Sequence, residues 1–210
     1  MKSQKLFSTV LAVILFAFAA SSSFAQTTTT VVTTPSKTYV VTKESYPQWS
    51  ITPSGGIVFP IMELSNSFKA NGIFGLETGA KVNKEVGFYL RGNYMFMNSS
   101  ASGGAVGKYI EITVGPRYYF SSINVKSQLF ADAGIGPYIF SQASYQPEDP
   151  TAVVIPEINE TKLGVNAGIG ASLYLSPNMN LMLRTKYNTV FTSTATKSFI
   201  TASTGLEFKF

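Results

Sequence analysis

The residues of this chain that could do chemistry are carboxylates and bases, because the sequence contains no histidine and no cysteine. Serine-type lipases and the barrel proteases of the bacterial envelope use histidine as their general base, so these enzyme classes are not expected here. A carboxylate such as Glu77 or Asp132 could still act as an acid or a base. Acids that lie among bases are more often paired than catalytic. We therefore predict ion pairs and no catalytic residue.

These charged residues occupy alternate positions within apolar segments. In residues 199–210, Glu207 and Lys209 share one face of a strand, while Leu206 and Phe208 share the other, because side chains alternate along a strand. The charged residues that keep the same inner phase are Glu77, Lys81, Arg91, Glu111, Arg117, Asp132, Arg184, Lys186, Glu207 and Lys209. A charge that faces lipid costs about 2–4 kcal/mol at mid-bilayer. The pattern is therefore typical of a membrane barrel with a polar interior.

The elements that would carry these residues are eight segments with this alternation, separated by turn residues. They are residues 49–59, 72–82, 86–97, 109–120, 128–141, 162–175, 180–192 and 199–210. Most of them reach the roughly 9–11 residues that a tilted strand needs to cross a bilayer. We predict an all-β fold, a transmembrane antiparallel up-and-down β-barrel of eight strands. Ten strands are the alternative, if the segment from Val31 to Val41 or the long third loop joins the sheet.

The connections between the segments alternate in length. Residues 83–85, 121–127 and 176–179 form short connections, and residues 60–71, 98–108, 142–161 and 193–198 form mostly longer ones. Short turns at one end and long loops at the other are typical of transmembrane barrels. With both termini in the periplasm, the long loops would face the outside of the cell.

Residues 49–210 resemble the small eight-stranded outer-membrane barrels of the OmpA/OmpX type and the opacity-protein type. The resemblance is carried by strand number, loop asymmetry, aromatic strand ends, and a terminal Phe210 preceded by Phe208 and Leu206. It implies a location in the outer membrane of a Gram-negative bacterium, contact with outer-membrane lipid, and recognition of Phe210 by the outer-membrane insertion machinery. A resemblance of this kind indicates fold and location far better than function.

The amino-terminal part of the chain has a different composition. Residues 1–25 are predicted to be a signal peptide cleaved near Ala25, because Lys2 and Lys5 precede a short apolar run and a small-residue cleavage site. An uncleaved anchor is the alternative. Residues 26–48 are rich in threonine and are predicted to be a flexible periplasmic leader, whose valine pairs could form a short extra strand. Removing both lysines lowers the formal net charge from +5 to +3, and no nucleic-acid partner is expected.

The turn lengths predict which inner residues meet. A three-residue turn at residues 83–85 would place Glu77 directly opposite Arg91 on the neighbouring strand. The other charges of the inner face could extend this pair into a structural network, because eight strands leave an interior that side chains can fill. A conducting pore is the alternative.

Two A-G-I-G repeats, residues 133–136 and 167–170, place small residues on the inner face, where they make room for large neighbours. Counting across the turn at residues 176–179 puts Gly168 and Gly170 near Arg184 and Lys186. No helix or Gly-Lys-Ser sequence follows either repeat, so a phosphate loop is not predicted.

Aromatic residues at the strand ends are predicted to form two interfacial girdles. They are Trp49, Phe59, Tyr94, Phe96, Tyr118, Phe120, Tyr138, Phe140, Tyr187, Phe191, Phe208 and Phe210. The alternative, a water-soluble sandwich or lipocalin-like barrel, would turn its polar face outward. The acids of the loop at residues 142–161 could hold Ca²⁺ or meet a basic partner; they are Glu148, Asp149, Glu157 and Glu160. Their spacing does not match an EF-hand, so a solvated loop is predicted, with no metal and no cofactor.

The sequence therefore predicts a monomeric, non-enzymatic outer-membrane barrel. Its expected role is structural in the envelope or interactive at the cell surface, through long loops that contact a host, cellular or envelope partner. A narrow channel or transport accessory for small solutes is the second hypothesis. An envelope lipid-modifying enzyme is the third.

Overall fold

The computed structural model describes residues 29–34, 37–42, 46–98, 106–122, 127–144, 156–192 and 196–210. Its strands are β1 (Thr29–Thr34), β2 (Lys37–Thr42), β3 (Gln48–Ile61), β4 (Asn71–Lys81), β5 (Val86–Asn98), β6 (Val106–Ser122), β7 (Gln128–Gln142), β8 (Ile158–Ser176), β9 (Met179–Phe191) and β10 (Thr196–Lys209). Strands β3 to β10 form a closed antiparallel barrel in which each strand pairs with the next, and β10 pairs with β3. The predicted eight-stranded up-and-down barrel is confirmed.

The two ends of the barrel differ in their connections. We call the end with both barrel termini and the connections at 82–85, 123–127 and 177–178 the turn end. The loop end carries the connections at 62–70, 99–105, 143–157 and 192–195. At the turn end, the backbone N–H groups of Glu85 and Val86 donate to the side-chain oxygen of Asn83, at 2.8 and 2.7 Å. An asparagine that bonds the backbone just ahead of it stabilises a tight turn.

Apolar side chains cover the outside of the barrel, and polar side chains fill much of the inside. Each of the eight barrel strands has at least one large apolar side chain on its exposed face, for example Phe74 at 62%, Phe88 at 52% and Ile169 at 66% exposure. An apolar surface of this extent is unusual on a water-soluble monomer. Six of these strands, β4, β5, β6, β7, β9 and β10, bury charged side chains on the opposite face, and β3 and β8 bury neutral polar ones there. An apolar exterior with charged groups inside is typical of a barrel that spans a bilayer.

Two short strands lie within the predicted leader. Strands β1 and β2 pair with each other in antiparallel register, with Val31 opposite Val40 and Val32 opposite Tyr39. Threonine and valine are β-branched, which favours extended backbone. The two strands form their own two-stranded sheet, and the barrel closes without them, so the ten-stranded alternative is not the one observed. The predicted signal peptide, Glu148 and Asp149 lie outside the described residues.

Several strands continue beyond their predicted bounds toward the loop end. Strand β8 begins at Ile158, four residues before the predicted start, and its pairing with β7 continues to Gln142 opposite Ile158. Glu160, predicted to lie in a loop, is therefore part of β8. By extending the strand ladder, β7 and β8 pair backbone N–H and C=O groups that an irregular loop would leave without backbone partners.

The first long loop contains a short helix that the sequence did not predict, α1 (Glu63–Ser67). Leu64 and the following Phe68 turn inward and are buried, at 4% and 9% exposure. Within the described part of the chain, no helix is long and apolar enough to span a membrane.

The girdle prediction was wrong for Tyr138 and Phe140. Both point into the lumen, with 0% and 5% exposure, because they share the strand phase of Asp132. Trp49 and Phe96 are half-buried. The remaining members of the predicted girdles lie on the exposed face: Phe59, Tyr94, Tyr118, Phe120, Tyr187, Phe191, Phe208 and Phe210.

Candidate functional site

Five of the predicted charges meet in one layer across the middle of the lumen. This ionic layer consists of Glu77, Arg91, Arg117, Asp132 and Arg184. Nitrogen atoms of all three arginines lie 2.6–3.0 Å from the carboxylate oxygens of Glu77. Asp132 Oδ2 lies 2.9 Å from Arg91 and 3.0 Å from Arg117. Three bases share two acids here, so the layer carries a formal excess of one positive charge.

Strand register brings the members of the ionic layer together. Glu77 on β4 is the cross-strand partner of Arg91 on β5, and Arg117 on β6 is the partner of Asp132 on β7. Arg184 comes from β9 and reaches across the lumen to Glu77. Every side chain of the layer is less than a tenth exposed. Arginine suits this position because its planar fork contacts two carboxylates at once.

Two glycines of β8 make room for long basic side chains in the lumen. Gly168 and Gly170 on β8 are the cross-strand partners of Lys186 and Arg184. A Cβ atom on Gly168 would lie 2.8 Å from Lys186 Cγ. A larger residue at this position would therefore collide with the lysine side chain.

Two aromatic rings pack against the guanidinium groups of the ionic layer. The Arg91 guanidinium carbon lies 4.1 Å from the Tyr89 ring centroid, and that of Arg117 lies 4.5 Å from the Phe130 centroid. Stacking on a ring favours a buried cation. The rings therefore hold these two guanidinium groups through cation–π contacts.

A second polar layer lies closer to the loop end and is centred on Glu111. Lys186 Nζ donates to Glu111 Oε1 at 2.7 Å, and Asn93 Nδ2 donates to Oε2 at 2.7 Å. Thr113 and Asn166 also donate to Oε1, at 2.9 and 3.2 Å. Glu111 is completely buried. A buried carboxylate with one lysine partner and several neutral donors is stabilised in its charged form.

Glu207, Lys81 and Lys209 lie near the turn end, apart from both layers. The buried Glu207 accepts hydrogen bonds from Asn180 at 2.9 Å and Ser172 at 3.3 Å. Lys81 donates to Gln128 and lies 4.4 Å from the Tyr119 ring centroid. These three predicted residues border a cavity of about 70 Å³.

The loop end of the lumen is apolar. We call its cluster the loop-end plug; it consists of Val58, Leu64, Phe68, Ile73, Met95, Met97, Tyr109, Tyr138, Phe140, Val190 and Phe199. Leu64 and Phe68 come from the first long loop, and the Phe68 ring packs edge-on against Phe140 at 6.0 Å between centroids. Helix α1 therefore closes the plug from above.

Several residues that shape the site were not among the predicted site residues. Tyr89, Asn93, Asn166 and Asn180 all bond or stack onto the predicted charges. Their signal in the sequence is strand phase alone, because each keeps the inner phase of its strand. Among the described residues, no group of three or more acids is arranged to hold a metal ion.

A closed eight-stranded barrel with buried charges inside and an apolar exterior defines the outer-membrane class of β-barrels. No protein-family model and no curated protein matches the sequence. Solved structures do match the fold.

The chain is similar to Neisserial surface protein A, with a TM-score of 0.53 at 15% identity over 78% of this chain and 97% of that one. A major outer membrane protein from Thermus thermophilus gives a TM-score of 0.54 at 12% identity, over 77% and 99% of the two chains. Ail, the attachment invasion locus protein of Yersinia pestis, gives 0.50 at 16% identity, over 77% and 99%. The chain has the fold of the small eight-stranded outer-membrane barrels.

Proposed function

We propose that this protein is a monomeric, non-conducting outer-membrane barrel that acts through its loop end and is not an enzyme. Its place is the outer membrane of a Gram-negative bacterium, reached after export and removal of residues 1–25. The insertion machinery recognises the last strand with Phe210. The partner of the long loops is a protein or other surface molecule of a cell, a host or the envelope itself.

The observation that carries this proposal is the filling of the lumen. The ionic layer and the Glu111 layer cross the barrel at two adjacent levels, and the loop-end plug lies above them. Glu77, Arg91 and Glu111 are each no more than 2% exposed, so their side chains are enclosed at both levels of the lumen. Eight strands enclose a space that side chains can fill completely. The charged residues thus serve a structural network, which leaves the loops as the surface for function.

The similar structures support a surface role without assigning one. One is described as a surface protein and another as an attachment invasion locus protein. A barrel that presents loops on a rigid scaffold is suited to contact, because the scaffold fixes where the loops begin and end.

Conductance in a planar bilayer tests the proposal. We expect the wild-type protein to show no discrete openings. Arg91→Ala removes a guanidinium group that touches both Glu77 and Asp132, and we expect openings in this variant. Lys84→Ala, which removes one charge from an exposed turn, should stay silent like the wild type.

The outcomes separate the hypotheses. Discrete openings in the wild type would favour the narrow channel and contradict the proposal. Silence of both the wild type and Arg91→Ala would leave the barrel closed but would show that this arginine is not what closes it. Lipid turnover by the purified barrel would support the envelope lipid-modifying enzyme instead.

A further inference from the structure

The turn end of the lumen contains a cavity that neither the ionic layer nor the loops account for. It has a volume of about 70 Å³, and polar side chains dominate its lining. The charged lining residues are Lys81, Arg117, Glu207 and Lys209. They come from β4, β6 and the end of β10, and Gln128 of β7 faces them.

The charge of this lining is unbalanced toward positive. Among the described lining residues, Lys81 and Lys209 face one acid, Glu207, which already accepts hydrogen bonds from Asn180 and Ser172. The third base of the lining, Arg117, is paired with Glu77 and Asp132. Lys209 makes no ion pair among the described residues. Lys81 is held in place by Gln128 and the Tyr119 ring. The cavity therefore has the ammonium groups of two lysines in its lining at the turn end.

Arg117 forms the floor of the cavity and links it to the ionic layer. Its Nη2 atom contacts Glu77 at 2.7 Å and Asp132 at 3.0 Å. Its Nε atom is buried and has no hydrogen-bond acceptor among the described residues. A buried N–H group without an acceptor is costly, and an anion at the cavity floor would supply one.

We propose that the turn-end cavity binds a small soluble oxyanion of the phosphate or carboxylate type. The lysines at the mouth attract it, and the guanidinium of Arg117 lies at the floor. The charged residues of the lining share the inner face of the barrel, so the ligand enters from the solution at the turn end and not from the lipid. Oxygen atoms of such anions accept charge-assisted hydrogen bonds, which are the strong ones.

Calorimetric titration with inorganic phosphate tests this site. The folded full-length mature protein is titrated in an uncharged, phosphate-free detergent at constant ionic strength, with chloride as the background anion. We expect saturable binding to the wild type. Lys209→Gln should weaken it about tenfold, the loss of one charge-assisted contact. Glu207→Gln should tighten it severalfold, because the one acid among the described lining residues no longer repels the anion.

Lys84→Gln provides the matched control. It removes the same charge from the exposed turn at residues 82–85, outside the cavity, and should leave the affinity unchanged. Equal weakening by Lys84→Gln and Lys209→Gln would show general attraction to a positive protein and overturn the site. Absence of saturable binding to the wild type would overturn it as well. The shift in gel migration on boiling checks that each variant is folded, and Lys81→Gln replaces Lys209→Gln if the latter does not fold.

Discussion

The middle of the lumen and its loop end are both filled by side chains, but by side chains of different kinds. The ionic layer uses five charged side chains that are all carried by barrel strands. The loop-end plug uses apolar side chains, two of which come from a loop. Charges need particular partners at particular distances, whereas apolar groups need only contact area. The ionic layer therefore requires particular residues at particular positions, whereas the loop-end plug requires only apolar side chains of the right total volume.

This difference has a consequence for what can move. The backbone segments that carry the ionic layer cannot move apart without breaking the ladder of the barrel, because each belongs to a paired strand. Leu64 and Phe68 can leave the loop-end plug while every strand stays paired. Damage to the middle should thus lower the stability of the whole barrel, and damage to the plug should act locally.

Glu77→Gln should have the largest effect on stability. Glu77 contacts all three arginines of the ionic layer, so its loss leaves three buried bases with one acid. Breaking a buried ion pair from one side costs about 3–5 kcal/mol. The unfolding midpoint in urea, measured for the protein inserted in lipid vesicles, should fall accordingly.

Arg91→Met is the matched comparison for that prediction. It leaves two arginines with two carboxylates, which is a balanced set. We expect a smaller loss of unfolding free energy than for Glu77→Gln. A larger loss for Arg91→Met would mean that charge balance does not govern the layer.

Gly170→Ala should come next in size. A Cβ atom there would collide with Phe130 Cζ and with the Leu183 carbonyl oxygen. Overpacking of this kind costs about 1–3 kcal/mol. Gly92→Ala is the control, because no heavy atom lies within 4 Å of its added Cβ. Equal midpoints for the two variants in the same urea titration would contradict the tight packing around Phe130.

Phe68→Ala should act on the loop end alone. The loss should be about 1 kcal/mol in global stability, well below the about 3–5 kcal/mol of a phenylalanine truncated in a rigid core. Amide exchange in α1 should speed up, because the helix loses its contact with Phe140. A fall in the urea midpoint as large as that of Glu77→Gln would show that the plug and the ionic layer unfold as one unit.

Lys162→Ala should have the smallest effect. Its Nζ lies 3.7 Å from Glu160 Oε2, and the two side chains are 31% and 47% exposed. Exposed pairs of this geometry contribute little, so the unfolding free energy should change by less than about 0.5 kcal/mol. A loss above about 1 kcal/mol in the same assay would contradict this.

The sequence predicted those parts of the fold that depend on local periodicity. Strand phase placed the charges on one face, and the length of the turn at 83–85 gave the pairing of Glu77 with Arg91. The turn after Leu175 likewise placed Gly168 and Gly170 beside Lys186 and Arg184. Both predictions concern residues on adjacent strands, and side-chain alternation and turn length determine which of these residues pair.

Contacts across the lumen were beyond such reasoning. Arg184 on β9 reaches Glu77 on β4 because the closed barrel brings non-adjacent strands together, and the shear of the barrel sets which levels face each other. Helix α1 has too few residues for a helical period to show. Tyr138 and Phe140 were placed in the girdle by their aromatic type, although their phase with Asp132 indicated the lumen.

The seam between β3 and β10 joins the first and last barrel strands. Trp49 N–H donates to the Phe210 carbonyl at 3.2 Å, and Phe210 N–H donates to the Trp49 carbonyl at 3.0 Å. A chain truncated before β10 would leave β3 and β9 as two open edges. Unpaired backbone groups at such edges cost several kcal/mol each in lipid and, in water, recruit strands from other chains. With its final fourteen-residue strand the chain can close into a barrel that inserts into a membrane. Without that strand it would form an open sheet that aggregates.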